Sequence, residues 1–492
     1  MIDMLSHVVR RARLARLLCA LAWMLATPAS SATLNFTVTA SEPVTVTGTP
    51  RLAIDVGGVT RYATYASGTG TAALTFSYAV QAGDFDANGI TIATPLDLNG
   101  GTLTDLSGNP SSALNFTVPD TAALKVQTYT TAFTTSPITE ANANAVSFAI
   151  AKAPTGASFS YSITSSGGAG TVSGSGTISG ANHSVANVDI SALPAGTLTL
   201  SVSLSTAAGG AGAAKTASAA PTFTGVLDGL PAAAVAFSVR RLSSAYTGAL
   251  LQVRRASDDA TQDIEATVAG SLDTTALTTF CGTSSCFVSA FYDQSGNGLN
   301  AVQATAANQP RLVDAGTVEV EGGRPALRFA AAGPFLAAPA IPGQSVQGTF
   351  NVVTRVTDTT VNRHVIGDRF SIGAGGRVIR AASNAIYTGF NVGGAVVTLS
   401  GSSVPQRILS IFSDVSGMTG TIDGALRNGG TSSAYQVSGV SFWIGGGGPG
   451  QSAAGDWIGT VSEATVFNVT LTTSQRQALE RNQGSYYGIT MP

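Results

Sequence analysis

The 492-residue chain has little charge. Asp, Glu, Lys and Arg make up 11% of it, with a net charge of −2, where an average soluble protein carries about 25% charged residues. So weak and balanced a charge gives no electrostatic basis for binding nucleic acid or an acidic membrane surface. Histidine occurs only as His7, His183 and His364. His183 and His364 fall in different segments, which excludes a multi-His metal site. A Ser-His-Asp triad could use only His364, and no nucleophile motif stands near it. No glycine-rich loop opens a helix, so nucleotide binding lacks support; the run Gly445–Gly448 follows a strand-like segment instead. No cofactor is expected. The one apolar run, Leu17–Leu25, is too short to span a bilayer, and no second long run follows it.

Gly, Ala, Ser and Thr fill the space that charge leaves. Such a chain is polar without being charged, and it favours short strands and turns. Its N-terminus reads as a signal peptide over residues 1–32. Arg10, Arg11, Arg13 and Arg16 precede the apolar run, and Ser30-Ser31-Ala32 offers small residues for cleavage. The alternative is a membrane anchor. The signal reading predicts export, with the protein secreted or held at the cell surface and no membrane span left after cleavage. Cys281 and Cys286 are then the cysteines that remain, and two thiols in an exported chain are expected to pair. The loop they close is small, so the bridge contributes about 2 kcal/mol through chain entropy. It reads as a local staple for a turn.

Period-two alternation dominates the chain. Leu34, Phe36 and Val38 alternate with polar residues, as do Leu52, Ile54 and Val56, which end at the turn Gly57-Gly58. Leu74, Phe76, Tyr78 and Val80 repeat the pattern. Short strands at this spacing predict a β-sandwich over residues 33–118. Ser41-Glu42-Pro43-Val44 and Asp105-Leu106-Ser107-Gly108-Asn109 make this segment resemble the bacterial Ig-like repeats of surface proteins. A second sandwich of that kind is expected over 122–204, from the alternation at Phe159, Tyr161 and Ile163 and from Leu198 to Leu204. Residues 205–221, almost all small or polar, read as a flexible linker. The last domain covers 222–492. Strands are expected at 352–356, 408–412, 441–444 and 458–467, with a hairpin turn at Ile422-Asp423-Gly424. A helix is expected at 473–483, capped by Thr473 or Ser474 and closed by Gly484. The fold class is therefore all-β: two Ig-like sandwiches, then a jelly-roll sandwich of the concanavalin A type with a short C-terminal helix.

Asp84, Asp86, Asn88 and Gly89 match the first half of a calcium loop. The twelfth position, where an EF-hand needs a bidentate Glu, is Pro95. A polar turn between strands is the expected role, and no metal site is assigned.

Thr279-Phe280-Cys281-Gly282-Thr283-Ser284-Ser285-Cys286-Phe287, then Tyr292-Asp293-Gln294-Ser295-Gly296-Asn297-Gly298, resembles the catalytic domain of the α-L-arabinofuranosidase B family. Arg241 to Leu250, Arg255 to Asp259, and Trp443-Ile444-Gly445-Gly446 extend the likeness in order. The resemblance implies a retaining glycosidase, whose chemistry needs two carboxyl groups about 5 Å apart across the sugar. The family's acid/base is an Asp directly after Ile-Gly-Gly. Gly447 stands there in this chain. The family's nucleophile is a Glu in mid-domain, and this chain has no Glu between Glu321 and Glu463. The family's adjacent Cys-Cys pair is absent, as is its C-terminal arabinose-binding trefoil.

Asp358, Asp368, Asp414, Asp423 and Asp456 are the carboxylates that could substitute. Asp423 falls in the expected turn. Asp368, after Val365-Ile366-Gly367, and Asp456, before Trp457, are the candidate acid or nucleophile, against a bland role as turn or strand-end residues. Asp293 and Asn297 are candidate sugar contacts, or else fix their own turn. Trp443 and Trp457 could stack on sugar or pack in the core.

The expected function is a secreted or cell-surface protein that binds polysaccharide and lacks the usual carboxylate pair. An active α-L-arabinofuranosidase and a purely structural adhesin are the alternatives.

Overall fold

The computed structural model describes residues 32–492 apart from 112–113, 119, 332, 344–346, 358–362, 368–376, 383–384, 391–395, 401–404, 414–416, 431–440 and 447–455. Residues 1–31 of the expected signal segment 1–32, and Asp358, Asp368, Asp414 and Gly447, lie outside the described residues. The chain divides into two compact units, Met1–Thr128 and Tyr129–Pro492. Within them the fold is nearly all β, as its alternation predicts. Among the described residues no helix is long and apolar enough to cross a membrane.

In the first unit β1 (Thr33–Thr47), β2 (Arg51–Val56), β3 (Val59–Ser67) and β4 (Thr71–Ala79) lie in one antiparallel sheet. Phe36, Leu52, Ile54, Leu74 and Phe76 all point to its core. The turn at Gly57-Gly58 joins β2 to β3 as expected. The calcium-like residues serve the fold. Asp84 Oδ1 accepts from Arg61 Nε and Nη2, and its Oδ2 accepts from Tyr78 OH and the Gln81 amide. Asp86 accepts from the Gly57 and Gly89 amides. Both carboxylates are buried with these donors. The unit extends past the expected boundary at 118, because Val126 packs in this core and Val126–Gln127 pairs with Phe85–Asp86.

The second unit begins with a two-sheet sandwich. One sheet holds β5 (Thr130–Phe133), β6 (Val146–Ala151) and β9 (Asn182–Val188). The other holds β7 (Ser158–Ser165), β8 (Thr171–Thr177) and β10 (Leu198–Thr206). Phe148 of β6 meets Tyr161 of β7 edge to face at 4.9 Å, which marks the shared core. The expected linker 205–221 is corrected here. Its residues Lys215–Ala219 form β11, in register with β10 from Val202 to Leu198. Small side chains permit a strand as readily as a coil, and β10 offered an edge whose backbone groups needed partners.

The C-terminal sandwich is built round β22 (Gly459–Phe467), all nine residues of which are buried. It pairs with β12 (Val235–Ser238) and with β17 (Gly348–Val356). Beyond β17 lie β19 (Arg407–Ser413) and β20 (Met418–Ile422), and Asp423 and Gly424 make the expected hairpin turn. A further run of strands comprises β14 (Cys286–Phe291), β15 (Ala301–Val302), β16 (Leu336–Ala340), β21 (Ser441–Ile444) and β18 (Arg363–Gly367). Phe237, Phe291, Phe350 and Phe442 fill the core between them.

Among the described residues two α-helices complete this domain. Helix α1 (Thr274–Cys281), capped by Asp273 through the Ala276 amide, was not legible in a threonine-rich stretch of modest helix propensity. Helix α2 spans Thr473–Tyr487, one turn longer than expected. Its N-cap is Thr472, in a capping box with Gln475, and Gly488 in the left-handed region closes it. Gly484 lies inside the helix, where a Cβ would come within 2.5 Å of Met491. The buried side of α2 mixes Leu479 and Tyr487 with polar residues. Gln483 Nε2 donates to Asn351 Oδ1 and Glu463 Oε1, while Ser410, Thr421 and Arg476 donate to Glu480.

Candidate functional site

The cysteine turn forms where α1 ends. Gly282 caps the helix by donating to Thr278 O at 2.9 Å, and β14 starts at Cys286. Cys281 and Cys286 form the expected disulfide, and both are buried.

The Tyr292 motif follows β14 and clamps an earlier strand. Asp293 Oδ1 accepts from the Ala236 and Ser295 amides, both at 2.9 Å. Its Oδ2 accepts from Ser295 Oγ at 2.8 Å and the Leu299 amide at 3.1 Å. Four donors fill the acceptor capacity of a carboxylate, and the residue is buried. Asp293 therefore fixes the turn and offers nothing further to a sugar hydroxyl. Asn297 uses both amide hydrogens on Ala233 O and Ala234 O. Gln294, which the sequence did not single out, is the deepest member. Its Oε1 accepts from the Leu242 amide, and its Nε2 donates to Ser238 O and Arg240 O. An uncharged residue between Asp and Ser in a turn motif gave no signal of such burial.

The two tryptophans take opposite roles. Trp457 is 1% exposed, and its Nε1 donates to Thr460 O at 3.3 Å. Its ring faces are covered by core, so a stacking role is corrected to packing. Trp443 is half-buried, while its strand neighbours Phe442 and Ile444 are fully buried. Alternation along β21 thus turns Trp443 to the face away from the core. The register places Ala337 of β16 opposite it on one side and Gly367 of β18 on the other. Val302 of β15 stands opposite Ala337 and is exposed. Directly opposed residues share a face, so the indole shares a row with Ala337, Gly367 and Val302. Phe335 meets its ring edge to face at 5.3 Å.

Asp456 lies beside this row. A Cβ on Gly446 would come within 2.8 Å of Asp456 Oδ1 and 3.2 Å of Phe335 Cβ. Only glycine allows the carboxylate so close to the end of β21. Asp456 is buried, bridges to His364 of β18, and its carbonyl accepts from Arg363 Nη1 at 3.1 Å. The structure therefore brings Asp456, Gly446, Phe335 and Trp443 together. Asp293 and Asn297 belong to the turn after β14 instead.

The glutamates on either side of the Glu-free stretch are both engaged. Glu321 pairs with Arg355 at 3.0 Å. Glu463 is fully buried with Arg240 at 2.8 Å, and it also accepts from Ser238, Gln483 and Tyr487. Asp423 pairs with Arg407 and accepts from the Ile408 amide.

The segment that carries the disulfide turn and the Tyr292 motif is glycoside hydrolase-like in sequence. Residues 226–322 match the family model described as alpha-L-arabinofuranosidase B, catalytic. Alpha-L-arabinofuranosidase B of Aspergillus kawachii is 40% identical over 92 residues, 18% of this chain and 18% of that protein. An alpha-L-arabinofuranosidase of Hypocrea jecorina is 42% identical over 76 residues, 15% of each. The chain thus matches less than a fifth of the length of these curated relatives. Among solved structures, an arabinofuranosidase complexed with arabinofuranosyl-alpha-1,2-xylobiose aligns at 17% identity with a TM-score of 0.39, over 51% of this chain and 62% of that one. The carbohydrate-binding module of a Ruminococcus gnavus sialidase aligns at 12% identity with a TM-score of 0.25, over 32% of this chain and 96% of that one. The family match holds the cysteine turn, Asp293 and Asn297, and it ends before Trp443 and Asp456.

Proposed function

We propose that the protein is exported and binds polysaccharide through the Trp443 face of its C-terminal domain, without the carboxylate pair of a retaining glycosidase. One observation carries this reading: Trp443 stands off the core between Ala337 and Gly367. Flat apolar rings flanked by small residues suit the stacking of a sugar face. The engagement of Glu321 and Glu463 supports the lack of a nucleophile, and the disulfide is compatible with export. The sandwich regions ahead of the C-terminal domain then act as Ig-like spacers. Affinity electrophoresis on arabinoxylan and arabinan tests the reading. Trp443→Ala is expected to weaken retention about tenfold; unchanged retention would sink it.

A second reading has its own support. Asp456 holds its carboxylate against Gly446, next to the position where the family carries its acid/base. If Asp456 protonates the leaving oxygen there while water attacks the anomeric carbon and releases its own proton to solvent, the chain hydrolyses an aryl α-L-arabinofuranoside, and Asp456→Asn abolishes that turnover. No turnover in the native chain leaves the binding reading alone.

A further inference from the structure

A cavity of about 330 Å³ opens between the middle sandwich and the C-terminal sandwich, both within the second compact unit. Its walls are tied together. The Ala195 amide donates to Ala266 O at 2.9 Å, and the Val268 amide donates to Leu193 O at 2.7 Å. Gly196 and Thr197 line one side, and Arg241, Tyr246 and Glu265 line the other. The volume lies at the low end of small-ligand sites, about 300–1,000 Å³.

The lining residues are unequal in what they leave free. Tyr246 is half-buried against the core and donates its hydroxyl to Ala249 O at 2.5 Å, which anchors the ring. Arg241 donates to Ser243 O and Ser244 O and lies over Phe223, so most of its donors are taken. Glu265 differs: among the described residues nothing gives its carboxylate a hydrogen bond or an ion pair. Asp263 stands two residues before it, on β13 (Thr261–Ile264) and on the same face of the chain. Asp263 accepts from Tyr292 OH at 2.7 Å and Gln252 Nε2 at 3.0 Å. The cavity therefore presents an anchored aromatic ring, an unpaired acceptor and the largely engaged Arg241 guanidinium, with Asp263 just outside its lining.

We propose that this cavity binds a neutral sugar residue, with Glu265 accepting its hydroxyls and Tyr246 lying against its ring. Hydroxyl donors satisfy Glu265 without adding charge, whereas a uronate would meet Asp263 and Glu265 as like charges. Electrostatics around the ring agree. Burial first, then Glu265, Asp293 and Asp263, pushes the Tyr246 hydroxyl up to about 12. The site goes beyond the Trp443 reading and uses different residues.

The test titrates the full chain with xylotetraose, L-arabinose and D-glucuronate, followed by calorimetry and saturation-transfer NMR. Glu265→Ala is the clean variant, because an exposed and unpaired side chain leaves the fold intact by circular dichroism. The neutral sugars are expected to bind, glucuronate not to bind, and Glu265→Ala to weaken one binding component about tenfold or more. That component is expected to persist in Trp443→Ala. Neutral-sugar binding unchanged in Glu265→Ala overturns the proposal. Loss of all binding in Trp443→Ala alone also overturns it and leaves the Trp443 reading standing. Loss of all binding in Glu265→Ala alone supports the cavity and removes the Trp443 reading. Binding of methylguanidinium in place of sugars, lost in Glu265→Ala, overturns the sugar assignment.

Discussion

Asp293 and Glu265 are two carboxylates of one domain with opposite circumstances. Asp293 is buried with four donors, so Asp293→Ala leaves several backbone amides of the turn without partners. That substitution is expected to destabilise the C-terminal unit by about 3 kcal/mol, read as a shift in its urea midpoint. Among the described residues Glu265 has no hydrogen-bond or ion-pair partner. Burial, and then Asp263, raises its pKa. The folded protein thus keeps this proton to higher pH than the unfolded chain, whose Glu titrates near about 4.3. Between the two values the native state binds more protons, so stability falls as pH rises and stays lower above the folded pKa. Glu265→Gln is therefore expected to raise Tm at about pH 7 and to match the native chain at about pH 3. A lower Tm at neutral pH would contradict this sign. A sequence shows both as acidic residues near turns; which one meets donors depends on strands tens of residues away.

At the scale of elements, strands were readable and their partners were not. The alternation of Leu34, Phe36 and Val38, or of Leu198 to Leu204, maps directly onto buried and exposed faces. The strand 215–219 was read as linker because small residues carry no period. Helix α2 shows a different limit. Leu479 and Tyr487 alone make only a thin apolar stripe on its inner side, because its buried residues Arg476, Glu480 and Gln483 are polar. They meet Glu463, Asn351 and Ser410 from three strands. Burial works against the charge on Arg240, but the attraction and hydrogen bond of Glu463 together with Tyr487 and Tyr486 outweigh it and hold the guanidinium protonated above its usual range. Arg240→Met strands Glu463 as an unpaired buried charge and is expected to cost about 3–5 kcal/mol in chemical unfolding. Replacing both Arg240 and Glu463 by Met is expected to recover most of that loss, because the pair's own desolvation also disappears. No recovery would show that the pair stabilises the dock outright.

For the whole molecule, the two compact units predict two unfolding transitions in calorimetry, and a single cooperative peak would contradict them. The sequence by itself determined the all-β class, the cysteine staple and the family likeness of the C-terminal domain. Alternation and short motifs are local, so they survive without a fold. Only the tertiary structure decided that Trp443 faces away from the core while Trp457 is sealed, that Asp293 is saturated while Asp456 reaches Gly446, and that two sandwiches border a cavity at Glu265. Those outcomes depend on strand register and on which distant residue stands opposite. Register is fixed by the packing of the whole sheet, and no single segment of this chain encodes it.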